Sequence, residues 1–166
     1  MKPLFNLEPK YMVAMLIREE WTRSPGTPPV VKGLFWFTDG SSTAEGTGAG
    51  VYGQSVNRRL SISLGKYGTV FRAEVYAILA FVHESATQDR PEKCVSICSD
   101  SQAALKALQA AKTTYPLVRQ CQQALNDIAT RHTVGLYWVP GHAGVRGNEK
   151  ARQARKGWFS SAVCWT

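Results

Sequence analysis

Apolar and polar residues along the first part of the chain alternate in a way that predicts strands. Residues 34–38 form a short aromatic-rich run typical of a buried strand, and residues 48–52 and 60–64 are two further strand-like segments, the second with strict alternation. Residues 57–59 (Asn-Arg-Arg) separate the last two segments and indicate a hairpin. An antiparallel meander of three strands is therefore predicted, with a turn at residues 39–42 after the first strand.

The spacing of apolar residues then becomes helical. Between Val70 and Val82 they recur about one turn apart, and Pro91 comes after them, so a helix is predicted over residues 70–86. A strand, two helices, a strand and a last helix are predicted at residues 94–99, 101–111, 116–131 and 134–139 and from about residue 148. This order predicts an α/β fold, with a five-stranded mixed sheet that begins with three antiparallel strands and is flanked by helices.

Both ends of the chain differ from this central region. Residues 11–21 have the pattern of an amphipathic helix, and the Pro- and Gly-containing run at 24–29 indicates a linker. We predict an N-terminal extension and linker over residues 1–33, a domain over 34–157, and an apolar tail over 158–166. No apolar run is long enough to predict a membrane span. Because no segment before the domain resembles a polymerase, a stand-alone or truncated copy of a larger element is one expectation.

Composition indicates an anionic partner. The chain has 166 residues, 44% of them hydrophobic, which suits one globular domain, and its net charge of +8 favours nucleic acid. Five basic residues lie between residues 145 and 157, although a solvated helix face explains them equally well. Four cysteines lack zinc-site spacing, and no signal peptide is visible. We expect an intracellular location, in the cytoplasm or nucleus, and a protein that acts as a monomer and does not bind a membrane.

Three acids occupy informative places in this element order. Asp39 and Asp100 each follow a predicted buried strand, and Glu74 lies early in the helix between them. Because strand ends meet at one edge of such a sheet, the three carboxylates are expected to converge. Clustered carboxylates repel one another, and a hard cation such as Mg²⁺ or Mn²⁺ relieves that repulsion. Taken singly, each acid is more typical of a turn, a helix cap or a helix surface than of a site, and it is their joint placement in this element order that favours a site.

Four motifs occur in order at fitting intervals: TDGS at residues 38–41, RAEVYAI at 72–78, SDSQAA at 99–104 and WVPGHAG at 138–144. Together they resemble ribonuclease H domains, particularly those encoded by non-LTR retrotransposons, over roughly residues 34 to 157. The resemblance implies an endoribonuclease that hydrolyses the RNA strand of RNA–DNA hybrids by two-metal-ion catalysis with Mg²⁺ or Mn²⁺.

The resemblance also assigns residue roles. Asp39, Glu74 and Asp100 match metal-binding catalytic acids of the family, and His142 matches a loop histidine that assists proton transfer. Substrate-binding positions are implied at five residues: Gly40, Ser41, Arg72, Ser101 and Gln102. The last three are expected to face the minor groove of the hybrid, where the 2′-hydroxyls distinguish RNA from DNA.

The final motif departs from the family. The expected pattern is Gly-Asn-Glu-x-Ala-Asp-x-Leu-Ala, whereas residues 147–155 read GNEKARQAR. Arg152 stands where a fourth metal-binding Asp is expected, and the stretch is one residue short, which rotates the later helix residues by about 100°. One of the two metal positions is therefore expected to be weakened, and Glu149, one turn earlier, is a candidate substitute.

Two alternatives to an active nuclease stay open. A catalytically inactive, nucleic-acid-binding domain from a degraded retroelement would keep the fold and the basic face. A different polynucleotidyl transferase, such as an integrase-like enzyme, is disfavoured by the His142 loop and by the three strands that precede Glu74.

Overall fold

The computed structural model describes residues 2–23, 28–29, 31–54, 57–66, 68–86, 93–141 and 143–156. Eight strands and five helices lie within these ranges. The strands are β1 (Phe5–Asn6), β2 (Met12–Ala14), β3 (Leu34–Thr43), β4 (Gly46–Gly53), β5 (Arg58–Ser63), β6 (Cys94–Ser99), β7 (Lys112–Thr113) and β8 (Thr133–Trp138). The helices are α1 (Arg18–Thr22), α2 (Val70–Ala86), α3 (Gln102–Gln109), α4 (Pro116–Ala129) and α5 (Arg146–Lys156).

The main sheet is mixed and has the strand order β2-β8-β6-β3-β4-β5. Strands β3, β4 and β5 form the predicted antiparallel meander, whereas β6 and β8 run parallel to β3 and to each other. The predicted α/β fold is therefore confirmed, with β2 added as a sixth strand. A separate two-stranded sheet pairs β1 with β7.

Helices cover both faces of the sheet because successive strand residues point to opposite sides. In β3, Trp36 belongs to the larger apolar cluster, which also contains Ile78 of α2 and Leu125 of α4. Its neighbour Phe37 belongs to a second cluster with Trp21 of α1 and Ala151 of α5. The sheet is therefore the middle layer of three, with α2, α3 and α4 on one face and α5 and α1 on the other.

The N-terminal segment packs against the sheet. Strand β2 pairs in parallel with β8, the Trp21 indole N–H donates to the Trp138 carbonyl at 2.7 Å, and the Tyr11 hydroxyl donates to the Leu108 carbonyl. The helix predicted over residues 11–21 is wrong for most of that range, because pairing with the β8 edge holds Met12–Ala14 extended. Division of the chain at residue 33 stays a prediction, and residues 158–166 lie outside the described ranges.

Strand β3 is longer than predicted. It continues from Leu34 through Asp39 to Thr43, and the turn falls at residues 44–45 rather than at 39–42. The reason is the partner strand: β4 supplies backbone partners along this stretch, with Asp39 opposite Gly50 and Thr43 opposite Gly46. Asp39 therefore lies within a paired strand. Across the described ranges, no helix combines the length and the apolar character that crossing a membrane requires.

Candidate metal centre

Three carboxylates from three elements meet at one edge of the sheet. Asp39 lies in β3, Glu74 in the second turn of α2, and Asp100 directly after β6. One ligand atom from each lies within 4.8 Å of the others. Asp39 and Glu74 are buried, and Asp100 is half-buried. The structure thus brings together the three acids singled out in the sequence.

Close packing of α2 on β3 positions Glu74. A Cβ atom on Gly40 would lie 2.5 Å from the Glu74 backbone nitrogen, so a side chain at residue 40 would push the helix away. The Thr69 hydroxyl accepts a hydrogen bond from the Arg72 N–H and caps the start of the same helix. Gly40, predicted from the sequence to bind substrate, therefore also has a packing role beside the acids.

The loop after β8 approaches Asp100. The Trp138 indole N–H donates to the Asp100 carbonyl at 3.2 Å, and a Cβ atom on Gly141 would lie 2.8 Å from Asp100 Oδ2. This carboxylate is consequently covered on one side by the loop that follows β8. His142, the predicted proton-transfer residue in that loop, lies outside the described residues.

Burial makes the ionised cluster costly. Burial raises the pKa of Asp39 to about 7, with the nearby Asp100 carboxylate adding to the rise and the Arg155 guanidinium opposing it. Burial also raises the pKa of Glu74 well above its ordinary value, and Asp100 and Asp39 raise it further. Carboxylates whose ionised forms are disfavoured in this way form a centre that gains from a positive charge.

The donor set fits a hard divalent cation. Glu74 Oε2 is buried and has no hydrogen-bond partner among the described residues, so the lone pairs of this oxygen are available to a cation. All three donors are carboxylate oxygens, which Mg²⁺ and Mn²⁺ prefer over nitrogen or sulfur. Asp39, Glu74 and Asp100 are therefore the residues that would hold such an ion.

Helix α5 brings a cation to the same cluster. Arg155 Nε lies 2.6 Å from Asp39 Oδ2, and the two side chains are only 16% and 6% exposed. Neither atom has a hydrogen-bond partner among the described residues, so the contact is an ion pair whose N–H is not aligned with the oxygen. Sequence reasoning missed Arg155 and concentrated on Arg152. Helical spacing could have indicated Arg155, because this residue lies one turn after Ala151, a buried residue on the face of α5 that packs on the sheet.

Arg152, which stands at the expected place of a fourth acid, pairs instead with Glu149. The Arg152 guanidinium donates to Glu149 Oε2 at 2.6 Å, along the surface of α5. Glu149 is consequently engaged one turn away, and only Asp39, Glu74 and Asp100 form a cluster of potential ligands among the described residues.

Two glycines allow α5 to lie close to the sheet. A Cβ atom on Gly50 would lie 2.2 Å from the Ala151 carbonyl oxygen and 2.4 Å from the Arg155 nitrogen. A Cβ atom on Gly147 would lie 2.1 Å from the Phe37 ring. Because Gly50 is the cross-strand partner of Asp39, the helix lies against the sheet beside this carboxylate.

The remaining predicted site residues surround the cluster. Ser41 is half-buried in β3, and Gln102 is exposed at the start of α3. The Ser101 hydroxyl caps α3 by accepting from the Ala104 N–H at 3.2 Å. Arg72 is exposed, two residues before Glu74, and lines a cleft of about 300 Å³ that also contains Lys66 and Tyr76. Their roles toward a substrate stay predictions.

The basic residues of α5 are only partly available to a partner. Lys150 donates to the Tyr52 hydroxyl at 3.1 Å and lies over the Tyr52 ring, and Arg152 and Arg155 pair with acids. Arg146 and Lys156 are exposed at the two ends of the helix. Much of the positive charge that the sequence offers as a possible binding face is therefore used within the domain.

Comparison with known families identifies this arrangement. The family model described as RNase H matches residues 31–158, which covers all elements from β3 to α5 and all three clustered acids.

Proposed function

The chain belongs to the RNase H family, and from this membership and the acidic cluster we propose an endoribonuclease that hydrolyses the RNA strand of RNA–DNA hybrids. The observation that carries the proposal is the convergence of Asp39, Glu74 and Asp100 within 4.8 Å at the edge of the sheet. A fold of this family without clustered acids would have supported binding alone.

The three acids have complementary roles in this proposal. Asp39 and Asp100 present carboxylates from neighbouring parallel strands, and Glu74 closes the site from α2. When bound, Mg²⁺ or Mn²⁺ supplies charge neutralisation for the scissile phosphate and lowers the pKa of the attacking water. Two ions belong to the family mechanism, with one position weakened here by the missing fourth acid. His142 is proposed to assist proton transfer.

Substrate contacts are proposed beside the acids. Arg72 and Lys66 line one cleft and can neutralise phosphates, while Gly40 and Ser41 bring backbone close to the scissile strand. Ser101 and Gln102, at the start of α3, are proposed to meet the minor groove, where the 2′-hydroxyls lie. The substrate is therefore recognised as a hybrid through its backbone and groove rather than through base sequence.

The origin and setting of the protein belong to the same proposal. The four sequence motifs favour the non-LTR retrotransposon type of ribonuclease H. The described cysteines Cys94, Cys98 and Cys121 are free thiols, which suits an intracellular location in the cytoplasm or nucleus. We propose that the domain acts as a monomer.

A second function is favoured by the cations of α5. Arg152 replaces an expected acid and Arg155 pairs with Asp39, so the domain is a candidate for a protein that binds hybrids without cutting them. The two functions share a salt-dependent affinity for nucleic acid, because both use cationic contacts to phosphates.

A cleavage assay separates the two functions. A labelled RNA–DNA hybrid, double-stranded RNA and double-stranded DNA are incubated with Mg²⁺ or Mn²⁺ and the wild type, Asp39→Asn or Asp127→Asn. We expect cleavage of the RNA strand of the hybrid alone, reduced at least about a hundredfold by Asp39→Asn because a carboxylate of the centre is lost. Asp127 is exposed on α4, so Asp127→Asn makes the same chemical change outside the site and should retain wild-type activity.

The opposite results are equally informative. Hybrid binding without cleavage, or cleavage that appears only in Arg152→Asp, favours the binding protein. Cleavage that Asp39→Asn leaves intact contradicts the proposed site. Binding that salt does not weaken counts against both functions.

A further inference from the structure

Arg155 reaches the acidic cluster from the face of the sheet opposite to α2. Gly50, the partner of Asp39 in β4, directs its Cβ position at α5, whereas Gly40 directs its own at α2. Glu74 and Arg155 thus approach Asp39 from opposite sides. With the Arg155 side chain 16% exposed, this ion pair is only weakly screened by solvent.

The contact holds Asp39 by charge rather than by a directed hydrogen bond. Arg155 Nε lies 2.6 Å from Asp39 Oδ2, yet neither atom has hydrogen-bond geometry to a partner among the described residues. An ion pair of this kind offsets the desolvation of both groups only in part. A competing cation of higher charge can therefore displace the guanidinium without breaking an aligned hydrogen bond.

The charges of the cluster set the number of ions it favours. When all are ionised, the three carboxylates and one guanidinium carry a formal charge of −2, from −3 and +1. One divalent ion neutralises that charge, whereas two would leave a formal charge of +2, from −2 and +4; without Arg155 the same two ions would leave only +1, from −3 and +4. Arg152 and Glu149 neutralise each other and do not alter this sum.

We propose that Arg155 is a resident counter-ion for Asp39, so that the three-acid centre binds one divalent ion and admits a second only when Arg155 is displaced. The proposal rests on the proposed function only in taking these acids as metal ligands. It makes Arg155, rather than Arg152 alone, the residue that sets the metal stoichiometry.

Mn²⁺ titration of the full chain tests this proposal without any substrate. Calorimetry and the paramagnetic signal of free Mn²⁺ give stoichiometry and affinity for the wild type, Arg155→Gln and Lys156→Gln. Removal of a buried cation near the ligands is expected to tighten Mn²⁺ binding at least about tenfold and to add a second ion in Arg155→Gln. Lys156 is the exposed next residue of α5, so Lys156→Gln makes the same charge change and should behave as the wild type.

A second variant keeps the test decisive if Arg155→Gln does not fold. Arg155→Lys keeps the positive charge beside Asp39, so this variant should bind one Mn²⁺ with affinity within a few-fold of wild type. A second ion or much tighter binding in Arg155→Lys overturns the proposal, because the charge at residue 155 would then not set the number of ions. Arg155→Gln with unchanged stoichiometry and affinity overturns it as well.

The outcome is separable from that of the nuclease proposal. Tighter binding and a second ion in Arg155→Gln, with no cleavage of a hybrid by any variant, would keep the counter-ion and end the nuclease proposal. A wild type that binds two ions and cleaves hybrids would keep the nuclease and end the counter-ion proposal.

Discussion

Helices α2 and α5 lie on opposite faces of the sheet and both pack closely on it, but they bring opposite charges to Asp39. Each lies over a glycine of the meander, Gly40 for α2 and Gly50 for α5, where a Cβ atom would collide with helix backbone. One helix brings Glu74 to Asp39, and the other brings Arg155. Close approach of a helix therefore fixes where a charge is placed, while the sequence of the helix decides its sign.

The two helices differ in what else holds them. Helix α2 places large apolar side chains, including Ile78, Leu79 and Phe81, in the main core. Helix α5 contributes Ala151 to the smaller cluster, and its other side chains are largely polar or charged. Because apolar burial is the dominant stabilising contribution, α2 is the more firmly fixed of the two. Glu74 therefore lies on the more firmly packed helix, whereas Arg155 lies on the helix that is more easily displaced.

Replacement of Gly40 or Gly50 by alanine is expected to have the largest effect on how the two helices lie over the sheet. We expect Gly40→Ala and Gly50→Ala each to lower the free energy of unfolding by about 2–3 kcal/mol, because the added methyl group meets backbone that cannot rotate away. Mn²⁺ binding should diverge: Gly40→Ala weakens it by moving Glu74, whereas Gly50→Ala retains or tightens it by moving Arg155. Urea unfolding and Mn²⁺ titration measure the two effects.

Gly65→Ala is the matched control for this pair. Gly65 has open space around it but a φ of +81°, so it should lose only about 1 kcal/mol through backbone strain and leave Mn²⁺ binding unchanged. Equal weakening of Mn²⁺ binding by Gly40→Ala and Gly50→Ala would show that the two helices do not act on the cluster in opposite directions.

The sequence predicted the elements whose apolar spacing is regular. The bounds of α2 and β6 agree with the predicted residues 70–86 and 94–99, because a helical period and an apolar run are both local properties. Strand β2 was missed, since its extended state depends on pairing with β8, a strand more than a hundred residues away. Edge pairing of this kind leaves little trace in a segment of three residues.

The candidate site was predictable to a similar degree. Asp39, Glu74 and Asp100 could be found because each sits in a recognisable motif on a predictable element. Arg155 was missed although helical spacing places it one turn after Ala151, because its contact with Asp39 depends on how closely α5 lies over Gly50, which is a property of packing rather than of local sequence. Arg152 drew attention as a departure from a motif, yet its partner is its own helix neighbour Glu149.

The Glu74→Gln variant tests the acid that α2 brings to the cluster, through the pH dependence of the free energy of unfolding. The pKa of Glu74 is well above its ordinary value of 4.5 and that of Asp39 is raised to about 7, so the folded state binds more protons than the unfolded state. Without metal, stability should therefore fall as pH rises above about 4.5. Glu74→Gln removes its share of this fall and should be more stable than the wild type at pH 8, with a smaller difference at pH 5.

Urea unfolding at both pH values, in the presence of a chelator, measures this effect. Added Mg²⁺ should raise the stability of the wild type at pH 8 much more than that of Glu74→Gln, because a ligand that binds only the folded state stabilises it. Glu19 is exposed on α1, so Glu19→Gln makes the same chemical change outside the cluster and should keep the wild-type difference between the two pH values. A wild type whose stability rises from pH 5 to 8 without metal would contradict the assigned direction of the shifts.

Glu149→Gln has the smallest expected effect and concerns the charged residues of α5. Glu149 and Arg152 form a partly exposed pair three residues apart on α5, and such pairs contribute about 0.3–0.5 kcal/mol. The variant should lose no more than this in urea unfolding and should keep the wild-type Mg²⁺ dependence of cleavage, since Glu149 is engaged outside the three-acid cluster. A several-fold higher Mg²⁺ requirement would instead identify Glu149 as a fourth ligand, and α5 would then supply both an acid and a base to the centre.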